Sequence, residues 1–248
     1  MSLLRQLRTA RRPEKLEPGL VAIDGRDIEV KFKRHRGARR LIVRLDRRGE
    51  TVAVTLPPRA SRAEALEFVQ RSRPWIASRL AHQPEPVTFA PGAEIMLRGF
   101  PHRIEHDQLR RGLVHCESGP DRIVVPGDTI HLKRRLGDWL KREARRDLTL
   151  ASERHAEAMG VRFRRLSIRD QASRWGSCSS DGGLNYSWRL ILAPDFVLDY
   201  VAAHEVAHLK HMNHGVRFWR LVLTHCPMAP QARSWLRRNG AALHRFGM

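Results

Sequence analysis

Apolar and polar residues alternate along the first half of this chain and recur at helical spacing along the second. Ile28-Glu29-Val30-Lys31-Phe32, Leu41-Ile42-Val43-Arg44-Leu45 and Val52-Ala53-Val54-Thr55-Leu56 carry the two-residue period of strands. Asp46-Arg47-Arg48-Gly49-Glu50 offers a hairpin turn between the last two, and Pro57-Pro58 stops the sheet. Ser61-Arg62-Ala63-Glu64 has the form of a capping box and opens a helix to about Leu80, with Pro74 expected to kink it or begin a second one. A second β stretch follows Pro84-Glu85-Pro86. Glu94–Arg98, Gly99-Phe100-Pro101 and His102–Glu105 read as a hairpin, and Leu113–Cys116 and Arg122–Val125 add strands.

Pro126-Gly127-Asp128 then changes the pattern: it ends the β-rich region and supplies Asp128 as a helix cap. Leu132, Leu136, Trp139, Leu140, Ala144 and Leu148 follow at helical period within a segment from about Ile130 to Met159, which Gly160 ends. Phe163 to Arg169 reads as a short strand, Gln171 to Ser179 as irregular, and Gly183 to Trp188 as a strand pairing back. Pro194 opens a helix at its first turn, where a missing N–H costs nothing. Further helices are expected from Val216 and over about Ala229 to Arg238. The pattern predicts an α+β chain: a basic tail over 1–18, a β-rich region over 19–127, and a helical domain with a short sheet over 128–248. It contains no recognisable internal repeat.

The Pro194 helix carries the chemistry. His204-Glu205-Val206-Ala207-His208 has the form H-E-x-x-H. Residues four apart on a helix share a face, so the two imidazoles stand roughly 6 Å apart along the axis and converge on one metal. Glu205, next to the first ligand, is placed to act as general base toward a metal-bound water. The third ligand has few sources, because no acidic residue follows Glu205 anywhere in the chain. His211, His214, His225, His244 and Cys226 remain. On a continuous helix His211 stands roughly 10 Å beyond His204. His214 swings back if the helix ends first, as Asn213 and Gly215 favour, and it is the expected ligand. A bare pentapeptide of this kind also arises by chance on amphipathic helices, but the apolar helix before it and the stop after it favour a metal site. A structural zinc would call for four protein ligands and leave Glu205 unused.

Charge and cysteine content narrow the setting. The 248 residues hold 46 Lys+Arg against 26 Asp+Glu, a formal charge of +20, which points to an anionic partner or substrate or else to solvated surface charge. The segment 206–248 has seven basic residues and no acidic one. Three scattered cysteines, Cys116, Cys178 and Cys226, give no disulfide framework and indicate a reducing compartment, hence an expected cytoplasmic location. No apolar run has the length of a membrane span.

Beyond the pentapeptide, Arg174-Trp175-Gly176-Ser177-Cys178-Ser179, Leu184-Asn185 with Trp188-Arg189-Leu190, Tyr200-Val201, Asn213-His214 and Phe218-Trp219 together resemble the YgjP-like metallopeptidase family, which is related to SprT-like and wider H-E-x-x-H peptidases. The resemblance is densest over about 160–235. It implies a zincin-like metallohydrolase domain with Zn2+ on His204, His208 and His214, Glu205 as the catalytic residue, and a peptide or protein substrate. The family has also been named as a metal-dependent UTP pyrophosphatase. Three function classes therefore stand: a zinc metallopeptidase, the leading one; a nucleoside triphosphate (UTP) pyrophosphatase, for which no glycine-rich phosphate loop or carboxylate cluster is present; and a nucleic-acid-associated protein with a structural zinc, for which no recognition motif is present. Arg174 is weighed evenly between steadying an oxyanion or phosphate and a structural role, while Trp175, Gly176 and Cys178 are expected to be structural, Gly176 as a tight turn. His211 is left open between orienting the site and covering exposed helix surface.

Overall fold

The computed structural model describes residues 16–46, 50–81, 87–117, 121–171 and 174–247. The chain divides into two compact units, Met1–Gln83 and Pro84–Met248. In the first, strands β1 (Gly19–Ile23), β2 (Arg26–Arg34), β3 (Ile42–Leu45) and β4 (Thr51–Leu56) form a sheet in the order β1-β2-β4-β3. Its outer pairs are antiparallel and the central β2–β4 pair is parallel. Asp24 (φ 50) and Gly25 (φ 76) turn β1 into β2, both left-handed as a two-residue hairpin turn requires. Asp46 accepts from the Glu50 and Thr51 N–H groups at 2.9 and 3.0 Å, while Arg47 to Gly49 of the expected turn lie outside the described residues.

Helix α1 (Arg62–Arg71) starts at Ser61 with both halves of the capping box made. Helix α2 (Arg73–Ala81) follows directly, with Pro74 in its first turn. Val30, Val52, Val54, Leu56, Ala65, Val69 and Ile76 have no exposed surface and form the core of this unit. Of the expected tail over 1–18, only residues 16–18 are described, and Leu16 packs against that core.

The second unit begins with a sheet of the same design. Strands β5 (Glu94–Leu97), β6 (Phe100–Asp107), β7 (His115–Glu117) and β8 (Arg122–Pro126) lie in the order β5-β6-β8-β7. Again the outer pairs are antiparallel and the central pair parallel. Again a left-handed pair, Arg98 (φ 52) and Gly99 (φ 85), makes the first turn. The topology repeats although the residues show no repeat, because it resides in hydrogen-bond pattern and turn chemistry, which many sequences satisfy.

Pro126-Gly127-Asp128 does not separate the units. Asp128 caps a 3-10 turn (Thr129–His131), accepting from the Ile130 N–H at 3.0 Å, and that turn leads into helix α3 (Leu132–Met159). Ile95, Leu97, Ile104 and Ile123 share one buried cluster with Leu136 and Leu140 of α3, so a boundary at 127/128 would cut through a core. The division falls instead at 83/84, beside the Pro84-Glu85-Pro86 stretch, which lies outside the described residues.

After α3, closed by Gly160 in the left-handed region (φ 63), come β9 (Arg165–Arg169), β10 (Gly176–Cys178) and β11 (Gly183–Ser187), in the order β10-β11-β9. A fully buried 3-10 turn (Trp188–Leu192) leads into α4 (Asp195–Ala207), α5 (Val216–His225) and α6 (Ala229–Leu243). The β5–β6 turn is wedged against the start of α4. Arg98 donates its N–H to the Ile191 carbonyl at 2.7 Å and its guanidinium to Glu143 and Asp147 of α3 at 2.8 and 2.7 Å. Gly99 abuts Pro194 so closely that a Cβ there would lie 2.9 Å from the Pro194 Cα. The helix bearing His204 is thereby fixed to both α3 and the sheet. No described helix is long and apolar enough to cross a membrane.

Candidate metal centre

Helix α4 is almost wholly buried, with Val197, Leu198, Val201, Ala202, Ala203, Val206 and Ala207 inside the core, so the positions of its polar residues are set by packing. It ends at Ala207, earlier than Asn213 and Gly215 led one to expect. The Leu209 and Lys210 N–H groups fall back on the Val206 and Ala207 carbonyls, tightening the chain into turns. The chain then reverses, and His214 returns to the helix face just before α5 begins. Its Nε2 lies 3.0 Å from the His204 Nε2.

His204, His208 and His214 are the one group of three or more potential ligands gathered among the described residues, and their candidate ligand atoms all lie within 4.8 Å of one another. Two nitrogens bound tetrahedrally to zinc would be about 3.3 Å apart, so the cluster is of the right size. The rings are also prepared as ligands. His208 Nδ1 donates to the His211 carbonyl at 3.0 Å, which leaves its Nε2 bare. His204 Nδ1 faces the Tyr200 hydroxyl at 3.4 Å. Burial, reinforced by the other two histidines, pushes the His204 pKa down to about 3, and burial lowers that of His208 as well. Both rings are therefore held neutral, the form that binds metal. The donor set suits zinc: three imidazoles with room left beside them. The remaining candidates stand elsewhere. His244 packs its ring on Trp175 at 4.8 Å, Cys226 is buried with its thiol toward Asp199, His225 lies at the end of α5, and His211 contributes its carbonyl rather than its ring.

Glu205 is only 6 % exposed and lies under β10. Gly176 is not the tight turn its type suggested. It sits in the strand, and a Cβ there would lie 2.6 Å from both Cγ and Oε1 of Glu205. The missing side chain is the space that the carboxylate fills. Cys178 donates its backbone N–H to that carboxylate, while its thiol is pushed up to about 11, chiefly by burial, which makes it a poor nucleophile. Burial raises the Glu205 pKa to about 8 against the pull of the Arg174 guanidinium and the Cys178 N–H. Arg174, Ser177, Met212 and the three histidines surround a cavity of about 380 Å3 with Glu205 at its wall. Behind Glu205, Trp175 of the same stretch packs against Gly240 of α6, where a Cβ would meet its ring at 3.2 Å.

A buried carboxylate beside three clustered imidazoles is the arrangement of a metal-dependent hydrolase, and a family model described as YgjP-like, metallopeptidase domain, matches residues 39–239. The chain belongs to the YgjP-like metallopeptidase family. No curated protein and no solved structure matches it. Membership carries a hydrolase of metallopeptidase type and a metal requirement, and the α+β architecture agrees with it.

The contacts absent from the sequence reading are those that support the candidate site residues: Gly176 under Glu205, the His211 carbonyl on His208, and Tyr200 on His204. Only the last had a signal, since Tyr200 lies four residues before His204 on one helix face.

Proposed function

We propose that this protein is a zinc metallopeptidase that hydrolyses peptide bonds, with His204, His208 and His214 holding Zn2+ and Glu205 as the catalytic acid–base. The observation that carries the reading is Glu205 itself, buried, clamped by Gly176 and Cys178, and adjoining the histidine cluster. When bound, zinc supplies Lewis acidity toward water and the carbonyl oxygen. Glu205 takes a proton from the attacking water and later returns it to the departing amine. Burial favours the protonated form of Glu205 and cation charge nearby its ionised form, the two states between which these proton transfers move it. Arg174, on the cavity wall, offers a positive charge to substrate oxygen as bonds rearrange. Three unpaired thiols, at Cys116, Cys178 and Cys226, support placing the protein in the cytoplasm.

The test is a paired assay of zinc-loaded wild type and Glu205→Gln, offering unstructured protein and a panel of nucleoside triphosphates. Glu205→Gln is expected to lose about 10²–10⁴-fold in peptide hydrolysis, with zinc content unchanged. Release of pyrophosphate that depends on Glu205, with protein left intact, would overturn the peptidase reading in favour of a nucleotide hydrolase.

A further inference from the structure

Helix α5 buries Phe218 and Val222 but leaves a second apolar stripe on its other side. Val216 is 77 % exposed, Leu223 44 %, and Trp219 lies half-buried between them at helical spacing. This stripe lines a shallow, open cleft of about 770 Å3 that His214 also lines. His214 also lines the cavity that contains Glu205, so the two spaces meet at a proposed metal ligand. Exposed apolar side chains in series are costly on a surface with no occupant. Here they begin where a substrate would be cut.

The charges around this path are one-sided. Arg220 lines the cleft, the Arg233 guanidinium lies 4.4 Å from the centre of the Trp219 ring, and Arg174 stands at the cavity beyond His214. No acidic residue occurs after Glu205 in the chain, and among the described residues Glu205 is the only acidic one lining either space. An apolar stripe edged by guanidinium groups complements an apolar side chain with carboxylates near it. It gives nothing to a ribose or a run of phosphates beyond its charges.

We propose that the cleft along α5 is the subsite for a bulky apolar side chain of the peptide substrate next to the bond that is cut, with Asp or Glu neighbours of that residue meeting Arg174, Arg220 and Arg233. This selectivity rests on the peptidase reading above and names its substrate class: extended, acidic segments with a large apolar residue.

The experiment uses the zinc-loaded full chain and quenched fluorescent peptides that differ only at one position (Leu, Phe or Ala) and in flanking residues (Glu, Gln or Lys). Leu or Phe is expected to raise kcat/KM over Ala by about 10-fold or more. Glu flanks should exceed Lys flanks by a similar factor at low salt, the gap narrowing as salt is added. The double variant Val216→Asn with Leu223→Gln changes only exposed side chains and should erase the Leu/Ala preference. Arg220→Glu should weaken or invert the preference for Glu flanks. Fluorescence anisotropy of labelled peptides on Glu205→Gln, which needs no turnover, should give the same ranking. Glu205-dependent cleavage that ignores the apolar position, or that survives the double variant with its preference intact, would overturn the subsite while leaving the peptidase reading in place. Cleavage of no peptide at all would remove the peptidase reading and this subsite with it.

Discussion

Gly176 shows how much of this site depends on one absent methyl group. A Cβ at that position would lie 2.6 Å from Glu205 Cγ and Oε1, so the carboxylate would have to move from its place under the strand. Gly176→Ala is therefore expected to lower kcat/KM by about 100-fold, the loss that follows when a reacting group moves by about 1 Å. Zinc content should stay unchanged, because the three histidines are not touched. Metal analysis beside peptide kinetics would check this, and an equal loss of zinc would show that the clamp acts on the ligands instead. At this scale the sequence was informative about chemistry and silent about support. His204, Glu205 and His208 declare themselves by spacing. His214 was reached by eliminating distant candidates, and the structure places it 3.0 Å from His204. That Gly176 would face Glu205 could not be read, since 29 positions separate them and only the fold brings them together.

Two glycines at element ends separate backbone strain from crowding. Gly160 closes α3 at φ 63 with nothing within 4 Å of a built Cβ, so Gly160→Ala should cost only the left-handed conformation, about 1 kcal/mol. Gly99 has φ 85 and also meets Pro194 at 2.9 Å, so Gly99→Ala should cost about 2–4 kcal/mol and disturb the start of α4 as well. Denaturant midpoints of the two variants would test the ordering, and equal losses would refute the wedge between the β5–β6 turn and the motif helix. Helices were the most legible elements, because α1 and α3 carry caps and period together. Strand β10 was not legible. Its residues Gly176, Ser177 and Cys178 have no strand propensity, and they are extended because they pair with Leu184 to Tyr186. The motif helix likewise stops at Ala207 through tertiary demand, since no residue there is a stop signal.

Across the whole chain, each unit has its own buried cluster, one around Val30, Val54 and Leu56, the other around Leu136, Leu140 and Val206. Leu56→Ala and Leu140→Ala should each cost about 2–5 kcal/mol, and calorimetry should show them shifting different transitions. A single transition moved equally by both would mean that the units unfold as one. The second unit also has a pH-sensitive joint. Asp199 of α4 accepts from His155 of α3 at 2.7 Å, pairs with Arg154 of α3, and receives the Cys226 thiol from the end of α5. Burial alone would raise its pKa, but His155 and Arg154 outweigh it and hold the carboxyl below the usual range. A depressed carboxylate contributes its full stability above the unfolded pKa of about 3.9 and loses it as pH falls through the folded value. Acid titration of Asp199→Asn should therefore show a lower stability at neutral pH than wild type and a shallower fall below about pH 4. A parallel fall in both proteins would mean that the joint contributes nothing to acid sensitivity.

Spacing within one helix is a local property, and so are capping, strand period and net charge. For that reason the sequence by itself determined the α+β character, the paired His204 and His208 with Glu205 between them, and the basic surface. The tertiary structure decided the rest: the division at 83/84, the repeated sheet topology, the strand that covers Glu205, and the apolar cleft that His214 also lines. Each of these depends on which distant segments share a core or a hydrogen-bond ladder, and many sequences with the same local pattern would pair their segments differently.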